Sequence, residues 1–400
     1  MTVASEITRL YGVRSDIFTA IEAKGVTVPS GSQLDDCPTL IGQIPSAPAP
    51  TPTPTPPSSL PAKTLCLWFK DGVTPYSVYG TFTQVSSTPN VWTWTYSTSS
   101  WANCFQYMPE LLAVIGAGDL SSITSMSGLF DSCSNLQSVV ALNTSACQNM
   151  GSMFRHCVSL TAAPSLNTSS VTSATNMFYG CTKLTTVPAY NFSNVTTLSS
   201  AFYNCTSLTQ APAITTSSAL TDTSSMFSSC GVLESVSLFN TSSVTKMNSM
   251  FSGASSLTTI PLFTTSAVQN MSSMFLECFS LTTVPLLNTG NVTNMSSMFK
   301  GCRKLTAIPA FNTANVTTLQ NFCNAASALQ SVPLLDTSKV TNMGSAFQEC
   351  RQVESGALAL YNQASSQTTP PSTHSATFRN CGSGTQSGAA ELAQIPSGWK

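Results

Sequence analysis

The sequence predicts an α/β solenoid in which a short strand, a turn and a short helix recur along the chain. Three observations carry that expectation. The Phe of a Met-Phe-like pair returns every 24 residues, or 25 in two places, at Phe105, Phe130, Phe154, Phe178, Phe202, Phe227, Phe251, Phe275 and Phe299; Cys323 takes the next slot and Phe347 follows. Three positions after the Phe comes a small residue, usually Cys, in all repeats but the first, and six positions after it comes Leu in all but the repeat of Phe347. An array of this kind grows without enlarging a central core, so 400 residues need not mean several globular domains.

In chain order, residues 1–44 form a small separate piece. Ile7, Leu10, Ile17 and Ile21 recur at helical spacing, Gly25 is a stop, and Asp35 and Asp36 before Pro38 open a second short helix through Ile44. Two such helices bury too little to stand alone, so they are expected to oligomerise or dock on a partner. Residues 45–62, rich in Pro and Thr, read either as a semi-stiff polyproline spacer or as a disordered tether. Residues 63–100 read as three strands, TLCLWFK, YSVYGTFTQV and NVWTWTYST, with turns at Asp71-Gly72 and Pro89-Asn90. Trp92, Trp94 and Tyr96 share one face by period 2. They suit a carbohydrate-stacking platform or, the favoured reading, a buried cap, because an array needs sealed ends.

Residues 101–355 hold the repeats, and residues 356–400 a degenerate last one opening at Phe378 together with a C-terminal cap. Leu at +6 from the Phe and Val or Ile at +9 mark a strand, as in Leu281 to Val284 and Leu305 to Ile308. Pro at +10 cannot donate a ladder hydrogen bond and ends or bends it. At +13 stand Asn143, Asn167, Asn191, Asn240, Asn288, Asn312 and Asp336, whose side chains are expected to satisfy the turn and to stack as an internal ladder. Val292, Met295 and Phe299 then fall on one face of about two helical turns.

The +3 slot holds Cys133, Cys157, Cys181, Cys205, Cys230, Cys278, Cys302, Cys350 and Cys381, with Ala254, Ala326 and Met108 as exceptions. Exchange with Ala marks a small buried position, which favours a thiol ladder over disulfides between neighbours and over a metal site. Metal is further disfavoured because no Cys-x-x-Cys pair occurs and the only histidines are His156 and His374.

Charged residues are only 8% and the net charge is -1, which excludes a basic field for nucleic acid. No apolar run reaches the roughly 18–20 residues that span a bilayer, so no membrane insertion is expected. The N-terminus carries Glu6, Arg9, Arg14, Asp16 and Glu22 where a signal peptide needs an apolar core. Convergent titratable groups are lacking, so no enzyme, no catalytic residue and no cofactor are expected. The candidate contact surface is the strand face at +7, +8 and +10: Thr185, Thr186, Pro188, Thr209, Gln210, Thr258, Thr259, Thr282, Thr283, Thr306 and Gln330. These uncharged side chains suit a glycan or protein surface read by hydrogen bonds and shape, and equally suit strand residues that merely tolerate solvent.

The run Asn291-Val-Thr-Asn-Met-Ser-Ser-Met-Phe299, with Cys302 and Leu305, resembles the BspA-like leucine-rich repeat, and the resemblance recurs over roughly residues 100–355. The strand-to-turn stretch is shorter here and contains Pro. The resemblance implies a surface-exposed adhesin that contacts host proteins, cells or other bacteria. Residues 5–44 are similar to a short N-terminal module of bacteriophage tail and other virion-attached proteins. Together the two resemblances imply an extracellular virion protein. Residues 1–44 would attach to virion or tail proteins, and the repeats would read a bacterial surface glycan or protein. A bacterial cell-surface adhesin is the alternative, and homo-oligomers are open to either.

Overall fold

The structure, a computed structural model, describes residues 53–76, 79–85 and 88–400. The helices expected in residues 1–44 lie outside these residues. The chain divides into units 1–54 and 55–400, and the second contains the array.

Burial follows a period of three. Val292, Met295 and Met298 are buried, and so are Phe299, Cys302, Leu305, Ile308 and Phe311, none more than 9% exposed. The phase slips at the adjacent Met298-Phe299 pair and again between Phe311 and the buried Thr313, from which it runs on to Val316. Such a period belongs to stacked turns, because an α-helix would alternate steps of three and four. The hydrogen bonds agree. The N–H groups of Met298, Lys300 and Cys302 donate three residues back within the repeat, at 3.1–3.2 Å, whereas those of Ser297, Phe299 and Gly301 donate to Gln320, Phe322 and Asn324 of the next repeat, each at 2.8 Å. Turning alternate N–H groups along the array axis requires left-handed backbone at −2 and +2, here Ser297 (φ 56°) and Gly301 (φ 78°). Both slots are left-handed in every row, from Asn103 and Tyr107 to Ala376 and Asn380. The expected short helix in each repeat is therefore absent. Among the described residues the α-helices are α1 (Ala357–Ser365) and α2 (Gln386–Gln394), both beyond the repeats.

Strands are concentrated at the start. β1 (Thr64–Phe69), β2 (Thr81–Gln84), β3 (Val91–Thr95), β4 (Leu111–Ala117) and β5 (Ser138–Val139) form one sheet in the order β2-β3-β1-β4-β5. β4 belongs to the first repeat. It pairs antiparallel with β1 and parallel with β5, so the cap sheet runs directly into the repeats. β6 (Tyr190–Phe192) and β7 (Ile214–Thr216) pair in parallel at +12 to +14. Elsewhere the strand expected at +6 to +9 shrinks to single parallel bridges at +8, such as Ala162 with Thr186 and Gln210 with Ser235. The unbroken bridge ladder lies instead at −5, from Ser100 through Asn149, Asp222 and Asn294 to Thr373.

The core is a column of rings. From Phe105 to Phe299 successive centroids are 5.4–6.0 Å apart and the planes lie within 17°. Where Cys323 takes the Phe slot, Phe322 supplies the ring from one position earlier, edge-on to Phe299 at 76° and to Phe347 at 77°. Indoles seal both ends. Trp94 meets Phe105 at 4.6 Å, while Trp399 lies 6.3 Å from Phe378 and accepts that residue's N–H through its carbonyl at 2.8 Å. Of the two readings of the Trp92-Trp94-Tyr96 face, Trp94 takes the capping role. The end of the Pro/Thr stretch also joins this body: Pro61 lies so close to Gly118 that a Cβ there has no room.

The expected ladder of +13 amides is not internal. Those side chains are exposed and accept from the N–H two residues on, as Asn288 does from Gly290 at 3.1 Å and Asp336 from Ser338 at 2.9 Å. The internal ladder is made by the next residue. Thr144, Thr168, Thr241, Thr265 and Thr289 are buried, and each hydroxyl donates at 2.8 Å to the +13 carbonyl of the following repeat. A hydroxyl is isosteric with the methyl of Val, so Thr289→Val leaves the Asn312 carbonyl without its donor and should cost about 1–2 kcal/mol. The Thr313 hydroxyl is buried with no partner, so Thr313→Val should be neutral or stabilising. Urea midpoints followed by circular dichroism check the contrast, and equal losses in both variants would refute the ladder's role.

Candidate functional site

The strand face is built by stacking. Residues at +7 and +8 flank the buried +6 and +9 positions, so Thr185, Thr186, Thr209, Gln210, Thr258, Thr259, Thr282, Thr283, Thr306 and Gln330 are exposed in two adjoining columns. Pro188, at +10, is half-buried. The hydroxyl protons are partly committed: Thr185 donates to the Thr161 carbonyl at 3.0 Å and Thr282 to the Thr258 carbonyl at 3.3 Å. These oxygens then face solvent as acceptors, so the face suits a ligand that brings hydrogen-bond donors.

The same face holds a feature that the sequence reading passed over. At +11 stand Leu238, Leu262, Leu286 and Leu334, each 61–65% exposed. Their signal was available, because +11 is out of phase with the buried +9 and +12 positions, where a polar residue belongs. Around the array, Ala267, Gln269, Asn291, Thr293, Asn315 and Lys339 line a polar depression of about 420 Å³. Here the side-chain amides of Asn291 and Asn315 donate to the Ser266 and Gly290 carbonyls at 2.7 Å, and Lys339 Nζ donates to Asn315 Oδ1 at 2.6 Å. The walls of the depression are thus held in place by bonds between repeats.

A third cluster gathers irregular residues at +1 and +2. Asp131 is buried, accepts from Gln106 Nε2 at 3.0 Å and lies 3.4 Å from Arg155. Arg155 also covers Tyr179, which stacks on Tyr203 at 4.5 Å, while His156 meets Tyr179 edge-on. His374 lies in the C-terminal seal, its ring 4.2 Å from that of Trp399. The two histidines therefore sit in separate aromatic contacts. Among the described residues no group of three or more His, Cys, Asp or Glu could hold a metal ion.

The +3 thiols are buried and point along the array. Cys133, Cys157, Cys181, Cys205, Cys230, Cys278, Cys302 and Cys350 each donate Sγ–H to the carbonyl of the preceding repeat's Phe-slot residue, at 3.0–3.2 Å. Burial pushes Cys133, Cys230 and Cys302 up to about 12, and Cys157, Cys205, Cys278 and Cys350 well above the ordinary thiol value. A nucleophile or metal ligand needs a thiolate, so burial makes these groups packing elements.

The family model described as "Mycoplasma protein of unknown function, DUF285" matches residues 99–216, 213–302 and 279–381. A leucine-rich repeat protein from Bacteroides ovatus ATCC 8483 is similar at 16% identity over 75% of this chain and 83% of that one, with a TM-score of 0.37. Another, from Eubacterium ventriosum ATCC 27560, is similar at 13% identity over 64% and 79%, with a TM-score of 0.30. No curated protein matches the chain.

Two measurements address the thiols. A thiol reagent should label the native ladder far more slowly than the denatured chain. Because the folded values are raised, the unfolded chain loses its thiol protons first, so the thiols' contribution to stability is constant below pH 8 and falls as pH rises from about 9 towards 12. Cys302→Ala should make that decline shallower, by about 0.7 kcal/mol per pH unit at pH 9 rising towards about 1.4 by pH 10.5, read from urea midpoints across that range.

Proposed function

This chain belongs to the family described as Mycoplasma protein of unknown function, DUF285, and from that premise we propose that it is a non-enzymatic recognition protein whose repeats present a binding face. The observation that carries the reading is the division of residues. The thiols and rings are consumed in the core, whereas the uncharged columns at +7 and +8 stand in register on the surface. A ladder-built surface of this kind is rigid and long, which suits adhesion to an extended partner.

We further assign residues 1–44 to attachment. The resemblance of residues 5–44 to virion-attached modules supports a phage tail or virion protein. In that reading residues 1–44 hold the particle, and the array contacts a glycan or protein of the host cell surface. A second reading, a bacterial cell-surface adhesin, is favoured by the family's description from Mycoplasma.

Mass spectrometry separates the two, since the first reading expects this chain in purified phage particles and the second in the cell envelope. For the division of labour, fluorescent protein spanning residues 55–400 should bind target cells and a 1–54 peptide should bind particles. Thr185→Lys with Thr186→Lys, away from the rows that carry the exposed leucines, should weaken cell binding at least tenfold while leaving the fold intact. Full binding by that double variant would remove the strand face as the contact surface.

A further inference from the structure

The leucines at +11 are confined to one half of the array. Ala141, Ser165, Ala189 and Ala213 hold the position in the earlier repeats, and Leu238, Leu262, Leu286, Ala310 and Leu334 hold it in the later ones. All are exposed. Four leucines beyond 60% exposure leave on the order of 400 Å² of apolar surface in one band, the size at which a patch marks an interface. The half-buried Pro261, Pro285, Pro309 and Pro333 border it at +10, with exposed Thr and Asn columns beyond. Band and borders together approach the roughly 800 Å² per partner of a standard interface.

We propose that this band is a homodimer interface, in which two copies of the chain pair antiparallel about a two-fold axis through Leu286. In that register both the packing and the flanking charges are self-complementary. Rows reverse about Leu286, so Leu262 meets the partner's Ala310 and Leu238 meets the partner's Leu334. The one small residue of the band thus faces a large one, whereas a parallel pairing sets Ala310 against its own copy and leaves a gap. The flanking charges are accommodated by the same reversal. At +7 Glu234 faces the partner's Gln330, and at +13 Asp336 faces the partner's Asn240, so each carboxylate meets an amide donor and never a second carboxylate. An isologous contact closes on itself and leaves no surface for further growth.

Sedimentation velocity on the full chain tests this at 1–50 µM, a range chosen on the order of the Kd of a modest interface. The wild type should associate with a midpoint in that range, and Leu262→Asp with Leu286→Asp should shift the midpoint at least a hundredfold, with unchanged circular dichroism. A Leu286→Cys variant provides a second reading. Under mild oxidation it should give a dimer linked through residue 286, as should a mixture of Leu238→Cys and Leu334→Cys chains, while either of the latter alone should not. The proposal fails if the wild type is monomeric at 50 µM, or if the Asp variant associates as the wild type does through some other surface. It also fails if the wild type is monomeric and the Asp variant loses cell binding, which would give the leucines to the target and leave the recognition reading standing.

Discussion

Everything in this array depends on where alternate N–H groups point. In the segment around each Phe, every second amide donates to the neighbouring repeat and the others close three-residue turns. That geometry demands left-handed backbone at −2 and +2, which costs roughly 1–2 kcal/mol for a residue with a Cβ. The sequence meets it mostly with Ser, Asn and Gly, and the axial hydrogen bonds offset the strain in every row. The same geometry fixes the interior. With turns of three residues, side chains come inward every third position, and the added residues of the longer steps, from Phe105 to Phe130, from Phe202 to Phe227 and from Phe347 to Phe378, leave the ladder at −5 in register. The ring column, the thiol ladder and the Thr ladder are three readings of that one constraint.

Much of this was legible in the sequence. The 24-residue step, the buried small slot at +3 and the sealing of both ends are compositional facts with one physical meaning each. The conformation between Val292 and Phe299 was less legible, because Val292, Met295 and Phe299 fit steps of three and four as well as a helix does. Met298, which fits only the triplet, was the discriminating residue. A similar ambiguity hid the inner ladder. Asn at +13 and Thr at +14 are both turn formers, and only burial shows that Asn312 closes its own turn while Thr289 reaches across to it. Phe322 was hidden for another reason: a one-residue shift keeps the ring in the column but breaks the alignment by eye. The strand face could be placed by counting, whereas the leucines at +11 needed the phase of burial to be recognised as out of place.

On the proposed reading, recognition and construction use separate residues. Positions whose chemistry could react, above all the thiols, are withdrawn from water and held by hydrogen bonds. The surface is left to hydroxyls, amides and a few leucines, whose identity varies between repeats without disturbing the interior. Variation at +1, +7, +8 and +11 leaves the ladder bonds untouched, since those run through the backbone and the buried Thr.

The two indoles at the ends have a consequence beyond closing the core. A ladder of identical rows has no natural terminus: its last row offers the same unpaired backbone and the same bare ring as every row before it. Such an edge is a template, and chains that expose one tend to grow into fibres. Trp94 and Trp399 make the array finite whatever its number of rows. Duplication or loss of a 24-residue unit between them changes reach without reopening an end, so the length of the molecule is free to drift while its solubility is not at stake.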